Sequence, residues 1–332
     1  MRMWLEFVGC TAVIVFSGAR ISRLGEVIAA KTGMGRTWVG VLLLASATSL
    51  PEFITGVSSV TFYNLPNIAI GDVLGSCVFN LFILAALDIK RDRDPISSLA
   101  HQGHLLTAAF GIFLLGFVTL GIMGAHVLPS IGWVGVTSLI IFPLYFVAMR
   151  IVFRYERNRT AEYLTEVAEE TRHAEISKAG AYTRFAVHAA LITAASSYLP
   201  HVASAIAVSN GLGNTFVGSI FVALSTSLPE IVVSREALKI GAIDLAVGNI
   251  LGSNLSDLGI LAVDDFAYRK GPILAHASTA HAITATGAMM MTGIAIIAMV
   301  YRSRKRAWVF SWESIGICAV YALTSLLLFL MR

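Results

Sequence analysis

Charge is what this 332-residue chain has least of. Only 13% of its residues are Asp, Glu, Lys or Arg, against about 25% in an ordinary soluble domain. With 56% hydrophobic residues and several apolar runs near the ~20 residues that cross a bilayer, this scarcity excludes a water-soluble fold. Cysteine is also rare. Cys10, Cys77 and Cys318 all fall inside apolar runs, which excludes a disulfide framework and leaves small packing residues. The net charge of +4 does not point to nucleic acid, because the basic residues are confined to short loops. Motifs of intramembrane proteolysis are missing too: no Ser–Lys or Ser–His pair, no paired-aspartate site and no HExxH helix, so the chain is read as a non-enzyme. The acidic run from Glu162 to Glu175 lacks the acid-and-glycine loop of an EF-hand and reads as a solvated face. The first apolar run, near Trp4 to Ala19, has no basic n-region and no clear cleavage site, and is expected to be a retained span.

Hydropathy predicts an all-α polytopic membrane protein with ten transmembrane helices, near 4–30, 37–63, 66–87, 99–122, 130–153, 184–209, 215–240, 244–263, 273–300 and 311–331. The polar stretch 154–183 separates two groups of five and reads as a cytoplasmic linker, either a short solvated helix or a loop. Of the 24 Lys and Arg, 20 fall in the loops on one side of this arrangement. Positive charge marks the cytoplasmic side, so both termini are expected outside, in a plasma or inner membrane.

The two groups are related. "TWVGVLLLASATSLPE" from Thr37 lies over "TFVGSIFVALSTSLPE" from Thr215 with nine of sixteen positions identical. After a one-residue slip, "IAIGDVLGSCVFN" (68–80) lies over "LAVGNILGSNLSD" (245–257). Five spans per half is an odd number, so the halves enter the membrane from opposite sides. This predicts two inverted five-helix repeats, 1–153 and 184–332, with their repeated cores at 37–88 and 215–265, an architecture common among secondary transporters.

Each core carries a proline and an acid near mid-membrane. Pro51 and Pro229 release a backbone carbonyl in the preceding turn, and such carbonyls need a partner in lipid. Glu52, Glu230, Asp257 and Asn80 sit at depths where polar groups face a cavity or a partner. Ser49 precedes Glu52 by three residues and Ser227 precedes Glu230 by three; Ser76 precedes Asn80 by four and Ser253 precedes Asp257 by four. Both spacings share one helix face. With Thr48 and Thr226, the set is all hard oxygen, which suits Ca2+ or Na+ better than zinc or copper. Gly71, Gly75, Gly248 and Gly252 permit close helix approach or a break. Asp88, Asp264 and Asp265 lie at span ends and are expected to cap or face water. His188, His201, His276 and His281 read as packing or interfacial residues, while His101 and His104 stand at a span entrance.

"ATSLPE", "STSLPE", "GDVLGSCVFN" and "GNILGSNLSD" resemble the two α-repeats of sodium/calcium exchangers, within the cation/calcium exchanger superfamily. The resemblance implies a ten-helix antiporter that trades Na+ for Ca2+ by alternating access, with H+/Ca2+ or K+-dependent exchange as the alternative. It implies that Glu52 and Glu230 bind Ca2+ and serve Na+, completed by Asn80 and Asp257. Thr48, Ser49, Ser76, Thr226, Ser227 and Ser253 are the implied side-chain or carbonyl ligands, and Ala45 and Ala223 the implied backbone donors to Na+. Four residues depart from the family pattern: Ala47 and Ser225 stand where Gly is favoured, Asp72 where the second repeat keeps Asn249, and Cys77 where it keeps Asn254. Asp72 adds a fourth acid near the site. No resident cofactor is implied; the partners are Ca2+, Na+ and the lipid bilayer. The oligomeric state is open, and a monomer suffices.

Overall fold

A computed structural model describes residues 2–32, 48–89, 94–172, 177–239, 241–302, 306–307 and 310–332. The fold is helical: α1 (Arg2–Thr32), α2 (Leu50–Thr61), α3 (Pro66–Ile89), α4 (Gly103–Met123), α5 (Val136–Arg172), α6 (Lys178–Ser209), α7 (Asn214–Lys239), α8 (Ile243–Ala267), α9 (Ala280–Tyr301) and α10 (Trp312–Leu330). Among the described residues, nine of these are long and apolar enough to cross a bilayer. The exception, α2, is the described part of the span expected at 37–63.

The protein is an integral, multi-pass membrane protein. Burial sorts its helices. The apolar window of α3 is 94% buried and that of α8 78%, whereas those of α1 and α10 are 33% and 28%. Helices that are apolar all round belong in the centre, so α3 and α8 form the axis of the bundle and α1 and α10 its rim. The largest core cluster joins them to α4, α5 and α9 through residues such as Val73, Leu74, Leu114, Leu258, Leu261 and Met291.

The inversion of the two halves is visible at the ends of the bundle. At one end the Asp244 carboxylate, at the start of α8, accepts from the His101 backbone N–H at 2.7 Å, and the Arg302 guanidinium donates to the Ala100 carbonyl at 3.2 Å. At the other end Asn67, at the start of α3, accepts from the Ser278 backbone N–H at 2.7 Å. The 273–278 segment that reaches Asn67 is also tied to the end of α8, through Ile273 N–H to Asp265 at 2.6 Å. Equivalent helices α3 and α8 therefore start at opposite ends, as two inverted five-helix repeats require.

Two boundaries differ from expectation. The 130–153 span does not begin as helix: Ser130–Ile131 (β1) pairs with Val134–Gly135 (β2) in a tight hairpin, with Gly132 at φ 64° supplying its turn. A second hairpin, Arg306–Ala307 (β3) with Phe310–Ser311 (β4), leads into α10. The polar stretch after residue 153 is not a separate element either, since α5 runs unbroken to Arg172. Nothing in its sequence stops it, because Pro and Gly are absent from 154 to 172.

Asp88 and Asp265 occupy equivalent positions and do equivalent work. Each accepts from the backbone N–H of the isoleucine eight residues on: Ile96 to Asp88 at 2.8 Å and Ile273 to Asp265 at 2.6 Å. Each isoleucine follows a proline, so the carboxylate holds the turn that leads to the next helix. Both act as the expected caps. Asp264 does not; it is fully buried.

Candidate cation site

The repeated motifs meet at the centre of the bundle. Glu52 (2% exposed), Asp72, Glu230 (both 0%) and Asp257 (1%) are all buried, and no Lys, Arg or His among the described residues pairs with any of them. Hydroxyls of the second half reach two of them, Glu52 and Asp72, in the first. The Ser227 hydroxyl lies 2.8 Å from Ser76 Oγ and 3.4 Å from Glu52 Oε1. Thr226 Oγ1 lies 2.7 Å from Asp72 Oδ1. Within the second half, Ser253 donates to Glu230 Oε1 at 3.2 Å.

Local backbone breaks put these groups in place, and the two halves break differently. In the first, a bend at Ser49 interrupts the helix just before Pro51, which lies in the first turn of α2. In the second, the chain passes helically through Pro229, and the irregularity sits upstream as a π-helical turn over Gly218–Val222. Side-chain hydroxyls cover the carbonyls that result. Ser225 donates to the Phe221 carbonyl at 2.9 Å, and Thr226 Oγ1 lies 3.1 Å from the Val222 carbonyl and 3.3 Å from that of Ala223. The Pro229 ring packs rather than opens a gap: it lies against α1 at Gly18, where an added Cβ would come within 2.6 Å of it.

The π-helical turn fits against α3 through glycine. A Cβ on Gly71 would lie 2.9 Å from Ser219 N, and one on Gly75 would collide with the Ser219 carbonyl oxygen. Backbone thus meets backbone, and this contact carries Asp72 and Ser76 to Thr226 and Ser227. Gly248 instead accommodates the His104 ring.

Near the pseudo-two-fold axis, residues equivalent in the two halves touch each other. Cys77 and Asn254 occupy the same position of the repeat, and the Asn254 amide donates to the Cys77 carbonyl at 3.0 Å. Around them two contacts mirror each other: Asn80 Nδ2 to Asn254 Oδ1 at 3.0 Å, and Cys77 Sγ to Asp257 Oδ2 at 3.9 Å. The symmetry fails further out. Ser227 reaches Ser76, but its counterpart Ser49, although buried, leaves its hydroxyl without a partner.

Of the residues singled out in the sequence, Glu52, Asp72, Ser76, Asn80, Thr226, Ser227, Glu230, Ser253 and Asp257 are brought together through these contacts. Thr48, Ser49, Pro51, Ala223 and Pro229 are buried beside them. Ala45 and Ala47 lie outside the described residues. Asn254 was missed as a contributor, although its alignment with Cys77 in the repeat could have placed it at the axis. One oxygen each of Glu52, Asp72, Asn80 and Glu230 has no hydrogen-bond partner. Among the described residues, no group of three or more His, Cys, Asp or Glu side chains is close enough to hold a metal by itself. The carboxylates are interleaved with hydroxyls and amides, so a cation here would draw on all three.

A family model described as "Sodium/calcium exchanger protein" matches residues 3–153 and 181–330. The chain belongs to the sodium/calcium exchanger family. Among curated relatives of this exchanger, an uncharacterized membrane protein of Methanocaldococcus jannaschii is 24% identical over 93% of this chain and 92% of its own length. The sodium/calcium exchanger MaX1 of Methanosarcina acetivorans is 24% identical over 70% of this chain and 74% of its own. Solved structures share the fold. The H+/Ca2+ exchanger CAX superposes with a TM-score of 0.70 at 12% identity, covering 99% of this chain and 86% of that one. The sodium-calcium exchanger NCX_Mj, soaked with 10 mM Na+ and zero Ca2+, gives 0.58 at 18% identity, covering 96% and 97%.

Proposed function

We propose that this family member exchanges Na+ for Ca2+ by alternating access, with the cluster of Glu52, Asp72, Asn80, Glu230 and Asp257 as its cation site. One observation carries the reading: four buried carboxylates, two from each half, each meet a hydroxyl or thiol, three of them across the halves, with no cationic side chain paired to them among the described residues. Carboxylates so close repel one another and are costly in lipid. Cations relieve both costs. Ca2+ or several Na+ can do so, but they compete for the same oxygens, and that exclusion couples the two fluxes without covalent chemistry. Ser49, Ser76, Thr226, Ser227 and Ser253, with the carbonyl of Ala223 and, by repeat, that of Ala45, supply the neutral oxygens that Ca2+ needs to reach six to eight ligands. Such oxygens also coordinate Na+ and add nothing for a proton, which favours Na+ as the driving ion. The unequal hydrogen bonding of Ser49 and Ser227 fits a transporter resting with its halves in different arrangements. The excess of Lys and Arg in the loops favours an orientation with the Asp244 end of the bundle in the cytoplasm and both termini outside.

The test is Ca2+ uptake by proteoliposomes, first under a Na+ gradient at equal pH, then under a pH gradient without Na+. Uptake is expected in the first arm. Uptake in the second arm alone would make the protein a proton/Ca2+ exchanger. Glu52→Gln is expected to abolish uptake, and wild-type flux in that variant would remove the cluster from the mechanism.

A further inference from the structure

Asp264 stands apart from the cluster and from the caps. It is fully buried in α8, and neither oxygen of its carboxylate has a hydrogen-bond partner. No Lys, Arg or His among the described residues pairs with it. Its neighbour Asp265 explains nothing about it, because the two oxygens of Asp265 already accept from Ile273 N–H at 2.6 Å and Gly135 N–H at 2.9 Å. The carboxylate faces Gly56 of α2. A Cβ at Gly56 would fall onto the two oxygens, 2.6 Å from Oδ1, so the glycine leaves room for the acid. Gly56 is four residues beyond Glu52, one turn or about 6 Å along the same face of α2. Asp264 is seven residues beyond Asp257, about 10 Å along the same face of α8. Both displacements run toward the Asn67 end of the bundle.

We propose that Asp264 is a second cation-binding carboxylate, one turn outward of Glu52 on the α2–α8 seam, which takes a monovalent cation in transit to or from the central site. The class follows from the donor count. Ca2+ takes six to eight oxygens, and this position offers one carboxylate beside bare helix backbone. A single buried charge is matched by one Na+ or one proton. Titratable groups on the helices packed here include Glu52 on α2, Asp72 on α3, Tyr145 on α5, His188 and His201 on α6, Glu230 on α7, Asp257 and Asp265 on α8, and His104 where α4 meets the opposite end of α8. His104 pairs with Asp244, His188 lies 3.3 Å from Ser17 Oγ and His201 packs against the rings of Tyr63 and Tyr198, while Arg150, Arg154, Arg184, Arg235 and Lys239 sit toward the Asp244 ends of their helices, away from Asp264. The proposal rests on the exchange reading of Glu52.

The experiment compares wild-type protein, Asp264→Asn and Glu52→Gln in proteoliposomes. Ca2+ flux is measured against Na+ concentration at fixed pH, and against pH without Na+, with thermal stability read in detergent. Asp264→Asn is expected to raise the Na+ or the proton concentration for half-maximal exchange at least about tenfold, as when one charge-assisted contact is lost. The KM for Ca2+ is expected to stay within about twofold, because the central ligands are intact. A shift in the Na+ curve identifies Na+ as the occupant, and a shift in the pH curve identifies a proton. Unchanged Na+ and pH curves would overturn the proposal, as would equal losses for Ca2+ and the monovalent ion. Asp264→Ser carries the same test if the asparagine variant does not fold. An inactive Glu52→Gln beside a normal Asp264→Asn sinks this proposal alone; normal flux in Glu52→Gln sinks the central-site assignment with it.

Discussion

Replacing Gly75 by alanine tests how the site is held together. An added methyl would sit 2.7 Å from the Ala223 Cβ and closer still to the Ser219 carbonyl oxygen. Carbon atoms in contact prefer about 3.5–4.0 Å, so α3 and α7 would have to part by roughly 1 Å. Forced overpacking costs about 1–3 kcal/mol. The same parting stretches Ser227–Ser76 (2.8 Å) and Thr226–Asp72 (2.7 Å), each worth about 0.5–1.5 kcal/mol. Alanine recovers about 0.5–1 kcal/mol through its better helix propensity. The balance is a destabilisation of about 1–5 kcal/mol, with exchange impaired because Ser76 and Asp72 move with α3. Gly116→Ala in α4 is the control. Among the described residues nothing lies within 4 Å of its added methyl, so it should be neutral or stabilising by up to about 1 kcal/mol. The assays are thermal unfolding in detergent and Ca2+ flux in proteoliposomes. If Gly75→Ala melts and transports like Gly116→Ala, the backbone contact between α3 and α7 does not set the site.

Two other substitutions probe separate contacts. Asp72→Asn keeps an oxygen for the Thr226 hydroxyl but removes a charge; losing one charge-assisted contact of about 1.5–3 kcal/mol should raise the half-saturating Na+ concentration about tenfold or more. A change under about twofold would leave Asp72 as a hydrogen-bonding residue only. Gly18→Ala should lower the melting temperature, because its methyl would lie 2.6 Å from the Pro229 ring and overpacking costs about 1–3 kcal/mol; Gly9→Ala, on the same helix and with nothing within 4 Å among the described residues, should not.

Some of this was legible in the residues because two copies of one pattern say more than one copy. The alignment of "ATSLPE" with "STSLPE" exposed the inverted halves, and the odd number of spans fixed their opposed insertion. Asp264 escaped for the same reason. Its equivalent by the repeat offset is Leu87, so no second copy drew attention to it, and its place near a span end suggested water. The cap shared by Asp88 and Asp265 was readable as a cap but not as a pair, because the isoleucine N–H groups they hold lie eight residues away, beyond any helical spacing.

Composition, hydropathy and the internal repeat by themselves determined the membrane class and the two inverted halves, and singled out the four acids that the fold buries at its centre, since each is a property of residue types and their order. Tertiary structure decided what those residues touch. It set Thr226 against Asp72, put Cys77 and Asn254 on the axis, and left Asp264 facing a bare glycine. Such contacts depend on how closely two helices approach across more than 130 intervening residues, and that distance is fixed by packing volume, which one-dimensional order does not encode.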